Sequence, residues 1–179
     1  MREDIKEILF SEEDLSKKVK ELGAQISKDY EGKDLLVVGV LKGSVLFASD
    51  LIKNITIPCE IDFMAVSSYG NSTETSGVVR ILKDLDHSIE GKHVLIVEDI
   101  VDSGITLNYL LKYLKARKAE SIEIVSLLNK PERRTVELNV KYIGFEVPNE
   151  FIVGYGIDYA EKYRNLPYIA VLKEEVYKK

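Results

Sequence analysis

One cysteine, Cys59, is the whole thiol content of a chain of 179 residues. A single thiol excludes an internal disulfide and fits a reducing cytoplasm. Cys59 itself reads as a small apolar side chain in a strand. Histidine is nearly as scarce. His87 and His93 do not sit among other ligand types at metal spacing, which argues against a zinc site. No apolar run reaches the length of a membrane span. Met1-Arg2-Glu3-Asp4 leads into mixed charge, with no signal-peptide core. Positive charge is in deficit too: 25 Lys and Arg stand against 30 Asp and Glu, a net charge of −5. That argues against a nucleic-acid partner held by a general basic surface. Internal repeats and linker-like stretches are absent, so the length suits one domain spanning 1–179.

What is present is organised around Val94 to Thr106, VLIVEDIVDSGIT. Val94 to Val97 are four apolar residues in a row, the pattern of a strand buried on both faces. Glu98, Asp99 and Asp102 follow, then a small polar turn with Gly104. Leu107, Leu110, Leu111 and Leu114 then recur at helical spacing. The order is buried strand, acidic pair, tight loop, helix. The amides of Ser103, Gly104, Ile105 and Thr106 fall at a helix N-terminus, where unpaired N–H groups and the helix dipole favour an anion. Ser103 and Thr106 add hydroxyls, and a phosphate monoester fits such a cup. Glu98 and Asp99 lie at the strand's C-terminal end, where open α/β sheets bind ligands. Carboxylates there accept hydrogen bonds from a sugar diol and hold Mg²⁺ through water.

Other stretches repeat parts of this plan. Ser11 and Asp14 predict a capped helix start ahead of Leu15, Val19, Leu22 and Ile26. Leu35 to Leu41 is a second buried strand, followed by Lys42-Gly43-Ser44 and a helical pattern through Ile52. A lysine beside exposed amides suits a second anion; equally, it suits a surface lysine at a helix cap. The Gly-x-x-x-x-Gly-Lys-Ser/Thr spacing of a P-loop is absent. Residues 67–77 are nearly all Ser, Thr, Asn or Gly between two strand patterns, which predicts a flexible loop. It reads as a lid or as a plain hairpin tip. Lys130 is the first charge past the strand Ser121 to Leu128, a solvated turn lysine or a pocket lysine. Phe151 reads as core and Asp158 as a turn residue. Arg133 and Arg134 read as surface or interface charges, and the tail after Leu172 as frayed.

The run Glu-Asp, two apolar residues, Asp-Ser-Gly-x-Thr closely resembles the phosphoribosyl pyrophosphate (PRPP) signature of the type I phosphoribosyltransferase family. The resemblance extends from about Asp34 to about Leu172 and is strongest to the bacterial hypoxanthine-guanine branch. It implies a doubly wound parallel α/β sheet with helices on both faces, consistent with alternating strand and helix patterns. The core would run over about 34–140, with a hood of N- and C-terminal pieces, the latter about 141–172. It implies that Glu98, Asp99, Asp102, Ser103, Gly104, Ile105 and Thr106 bind the ribose and 5′-phosphate of PRPP, with Asp102 the catalytic base. Lys42, Gly43 and Arg164 would bind pyrophosphate, beside a Leu41–Lys42 bond that is commonly cis in the family. Ser68 and Tyr69 would belong to the lid. Lys130, Phe151, Ile152 and Asp158 would bind the purine, Lys130 by donating to O6. Glu98, Asp99 and Asp158 would hold Mg²⁺. The implied protein is a cytoplasmic purine-salvage transferase acting on PRPP and a 6-oxopurine, a homodimer or homotetramer. Two alternatives stay open: a xanthine-preferring enzyme, and a non-catalytic PRPP-binding regulator. A retained Asp102 and the negative net charge weigh against the regulator.

Overall fold

The computed structural model describes residues 1–68 and 79–178. Within them, strands β2 (Leu35–Leu41), β3 (Cys59–Ser68), β5 (His93–Val101), β6 (Ser121–Asn129) and β7 (Tyr142–Glu146) join β4 (Val79–Lys83) in one sheet. Its order is β4-β3-β2-β5-β6-β7. All neighbours run parallel except β4, which returns antiparallel on β3. The expected doubly wound architecture is present, with one antiparallel edge strand.

Alternation along the central strands decides how the sheet is covered. Leu35, Val37, Leu95 and Val97 point to a core shared with α1 (Glu12–Asp29) and α2 (Val45–Lys53). Leu36, Val38, Val94 and Ile96 point the other way, to a core with α3 (Ile105–Lys115). Successive side chains of a strand face opposite sides, so an unbroken apolar run demands cover on both. β2 and β5 supply such runs. The Ser11 cap forms as expected: its hydroxyl accepts from Asp14 N at 3.1 Å, and Asp14 Oδ2 accepts from Ser11 N at 2.9 Å. Gly23 lets α1 approach closely, since a Cβ there would meet the Asn54 carbonyl oxygen at 2.5 Å.

A smaller antiparallel sheet, β1-β9-β8, forms the hood: β1 (Ile5–Phe10), β8 (Ile152–Val153) and β9 (Ile169–Leu172). β1 was not anticipated. Its sequence, IKEILF, mixes charge with apolar residues because only part of it is covered, and its partner β9 lies at the far end of the chain. The tail is not frayed throughout. Glu174–Tyr177 makes one helical turn, α4, tied back by Lys173 N donating to the Asp4 carbonyl at 2.9 Å. Most of the predicted lid, with Tyr69, lies outside the described residues, and Ser68 ends β3 opposite Val79. Among the described residues no helix is long and apolar enough to cross a membrane.

Candidate active site

Three loops leave the C-terminal ends of adjacent strands: Lys42-Gly43-Ser44 after β2, Asp102-Ser103-Gly104 after β5, and Lys130 after β6. Chain order reverses between β2 and β5, which is where open α/β sheets form their ligand crevice. Two adjoining cavities occupy it. One, of about 370 Å³, is lined by Gly43, Glu98, Asp99, Asp102, Ser103, Gly104, Thr106, Asp158 and Arg164. The other, of about 520 Å³, is lined by Lys130, Phe151, Ile152 and Tyr177 and shares Asp99, Asp102 and Asp158 with the first.

The first cavity contains the cup. Gly104 precedes α3 at φ +83°, a left-handed conformation that glycine adopts without penalty. Among the described residues the N-cap position of α3 supplies no side-chain cap, so most of its leading amides stay available for an anion. Ser103 Oγ accepts only weakly from Ile105 N, at 3.3 Å. Ile105 itself adds an amide and no charge. Beneath the cup, Asp99 Oδ1 accepts from Ile100 N at 2.7 Å. Burial, the charge of Asp99 and a hydrogen bond between the two carboxyls push Glu98 well above the usual carboxylate range. Burial also raises Asp99, to about 6; backbone hydrogen bonds and Arg164 oppose the shift, and Asp102 adds to it. Two crowded carboxyls, acceptor-only once both are ionised, fit a hard divalent cation, which would relieve their repulsion. Among the described residues no three His, Cys, Asp or Glu converge as a metal cage. A Mg²⁺ held there would take most of its oxygens from water and substrate.

The Lys42 loop is clamped from both sides. A Cβ on Gly43 would lie 1.9 Å from Asp99 Oδ2, and one on Gly156 would lie 2.2 Å from the Gly43 carbonyl oxygen. Only glycine permits this approach at either position. The Leu41–Lys42 peptide is cis. Lys42 Nζ lies 3.0 Å from Glu161 Oε2, and Arg164 Nη2 lies 3.2 Å from Glu161 Oε1 and 3.5 Å from Asp158 Oδ1. Arg164 Nη1 donates to the Gly156 carbonyl at 2.7 Å, while its buried Nε has no partner among the described residues. Glu161 thus bridges the two cations expected at pyrophosphate.

In the second cavity Lys130 is not a solvated turn lysine. It is 9% exposed, donates from Nζ to the Glu150 carbonyl at 2.9 Å, and sits 3.5 Å from Asp102 Oδ1. Phe151 is a half-buried cavity wall, and Ile152 is buried in β8. Arg134, read as a surface or interface charge, is half-buried and turns toward the loop. Its Nε donates to the Asp102 carbonyl at 3.1 Å and its Nη2 to Asn129 Oδ1, while Thr135 N donates to the Ser103 carbonyl at 3.1 Å. The short helical turn Pro131–Arg133 brings Arg134 back beneath the loop. Arg133 lines the second cavity. Charge alone did not mark Arg134, Glu161 or Gly156; the one available signal was a glycine on either side of Tyr155.

Comparison with known proteins agrees with this geometry. The model of the phosphoribosyl transferase domain matches residues 7–160. The hypoxanthine-guanine phosphoribosyltransferase of Bacillus subtilis is 57% identical over 177 residues, covering 99% of this chain and 98% of that protein. A bifunctional TilS/HprT protein of Listeria monocytogenes is 56% identical over 177 residues, but this chain spans only 27% of its length. A crystal structure of a hypoxanthine phosphoribosyltransferase from Staphylococcus aureus superposes with a TM-score of 0.98 at 56% identity, covering 100% of this chain and 97% of that one. By its sheet and these relatives, the chain belongs to the phosphoribosyltransferase family, on the hypoxanthine-guanine branch.

Proposed function

We propose that this chain transfers the 5-phosphoribosyl group of PRPP to N9 of hypoxanthine or guanine, giving IMP or GMP and pyrophosphate. One observation carries the reading: a buried lysine and a carboxylate, 3.5 Å apart, look into a cavity that adjoins a phosphate cup. O6 and N7 are neighbours on one edge of a 6-oxopurine. Lys130, which has only donors, serves O6. Asp102, which accepts, serves the N7 proton. Adenine would present an amino group to Lys130, donor against donor, and be rejected.

The chemistry follows from that placement. The 5′-phosphate rests on the amides of residues 103–106 with the hydroxyls of Ser103 and Thr106. Glu98 and Asp99 accept from the ribose diol. The bond from C1 to pyrophosphate breaks, the electron pair leaving with the pyrophosphate, and N9 bonds to C1. Asp102 takes the N7 proton, a general-base step worth about 10²–10⁴-fold. Lys42 and Arg164 stabilise the leaving pyrophosphate, Arg164 through its fork of donors. Glu98, Asp99 and Asp158 would hold Mg²⁺, which when bound supplies charge stabilisation at the pyrophosphate. Ser68 and Tyr69, the latter outside the described residues, would belong to a lid that excludes water.

Residues 1–179 act as one domain, a cytoplasmic enzyme in keeping with its lone, half-buried Cys59. It is a homodimer or homotetramer: the 37%-exposed Leu46 borders a groove of about 570 Å³ that also includes Leu15, Val19, Tyr155 and Leu166. The test is a spectrophotometric assay with PRPP and Mg²⁺ and each of hypoxanthine, guanine, xanthine and adenine. Turnover of hypoxanthine or guanine and none of adenine is expected. Turnover of adenine, or of no base, overturns the proposal.

A further inference from the structure

Phe151 does not stand alone on the wall of the second cavity. The ring of Tyr177 stacks on it, with centroids 4.7 Å apart and planes at 29°. Tyr159 meets the same ring edge-on, at 5.3 Å and 87°. Tyr177 belongs to α4, which is anchored at its start and closed by the bonds of its own turn. Lys173 N donates to the Asp4 carbonyl at 2.9 Å, Val176 N to the Lys173 carbonyl at 3.0 Å, and Lys178 N to the Glu174 carbonyl at 2.8 Å. Tyr177 also lines the cavity shared by Lys130 and Asp102. No step of the transfer uses it.

We infer that Tyr177 is a positioning residue of the base site. It covers one face of Phe151, a 6-oxopurine stacks on the opposite face, and the three rings form one column. The inference rests on the reading of this cavity as the base site. A phenyl ring on an open wall is free to rotate and loses that freedom when a base docks. A ring already held between Tyr177 and Tyr159 has little left to lose. Aromatic pairs of this geometry correspond to about 3- to 10-fold in affinity. The effect falls on the base and not on PRPP, because no residue of α4 lines the phosphate cavity. Stacking does not read the base edge, so hypoxanthine and guanine respond alike.

The experiment is steady-state kinetics on the full chain with Tyr177→Ala, Tyr177→Phe and Phe151→Leu, varying each base at saturating PRPP and then varying PRPP. Tyr177→Ala is expected to raise KM for both bases about 3- to 10-fold, with kcat and the KM for PRPP within about two-fold. Tyr177→Phe, which keeps the ring, should restore the parent values. If Phe151→Leu raises the base KM and Tyr177→Ala does not, the inference fails and the base site stands. A fall in base KM on Tyr177→Ala would place Tyr177 on the face the base needs and overturn the column. An equal rise in the KM for PRPP would mark general loosening and also overturn it. If Phe151→Leu leaves the base KM unaltered, the base-site reading fails and the inference fails with it.

Discussion

The two cavities are built in opposite ways. The phosphate end comes mostly from one continuous stretch: strand β5, its carboxylates, the Gly104 turn and the first turn of α3. The base end is assembled from Lys130 after β6, Phe151 and Ile152 at β8, and Tyr177 in α4. Local backbone geometry makes an anion site by itself, because a helix N-terminus carries its donors in sequence order. A flat heterocycle has no such backbone receptor. It needs a wall, a roof and an edge, and those come from distant segments through tertiary packing.

Asp102 belongs to both cavities, so it offers the sharpest test of the division. Asp102→Asn keeps the shape and removes the base, so kcat should fall by about 10²–10⁴-fold while PRPP affinity changes little. Single-turnover rates with separately measured PRPP binding check both halves. An unchanged kcat would move the proton to another acceptor.

Lys130→Ala touches only the base end. Losing the proposed charged hydrogen bond to O6 should raise the KM for hypoxanthine about 10- to 100-fold. The KM for PRPP should stay put, and discrimination against adenine should relax. Competition assays with both bases read this directly. Unaltered selectivity would remove Lys130 from the O6 edge, and a parallel loss of PRPP affinity would show that the two cavities are not separable.

The same contrast governs what could be read from the chain. The cup, the carboxylate pair and the doubly wound sheet were legible because contiguous patterns encode them: apolar runs for buried strands, a glycine where φ is positive, leucines at helical spacing. Lys42 and Lys130 were ambiguous because a lysine after a strand looks the same whether or not other segments cover it. What covers Lys130 is the hood. Arg134, Glu161 and Tyr177 were not legible at all. Arg134 acts through the carbonyl of Asp102, a contact that charge patterning does not show. Tyr177 looked like tail because the partner of its ring lies 26 positions earlier, in a segment that reads as core.

The carboxylate pair also has an electrostatic signature, with Glu98 lining the first cavity alone and Asp99 lining both. Glu98 and Asp99 both titrate above their ordinary range. Folding therefore binds protons more tightly than the unfolded chain does. The stability these groups contribute is full below their unfolded values near 4 and is lost as pH rises through about 6 for Asp99. Without divalent cation, Glu98→Gln removes one member of the crowded pair. It should raise Tm by about 2–4 °C at pH 8 and leave it nearly unchanged at pH 4. Calorimetry at the two pH values measures it. A Tm that falls at pH 8 would mean that the ionised pair is satisfied by the protein alone.

The smallest effect expected is at Glu161, where the phosphate end holds a carboxylate of its own between Lys42 and Arg164. Both cations lower the Glu161 carboxyl below its ordinary range. Lys42 and Glu161 side chains are 68% and 64% exposed, so water screens the attraction and displacing it costs little. Pyrophosphate carries more charge and more oxygens than one carboxylate, so on the proposed reading it would take the two cations from Glu161. Glu161→Gln leaves them without an internal anion, and pyrophosphate should inhibit the enzyme about two-fold more strongly, most visibly at low ionic strength. The KM of the base should not respond, because neither cation lines the second cavity. Weaker inhibition by pyrophosphate would reverse the role: Glu161 would then be holding Lys42 and Arg164 in the positions pyrophosphate requires rather than competing for them.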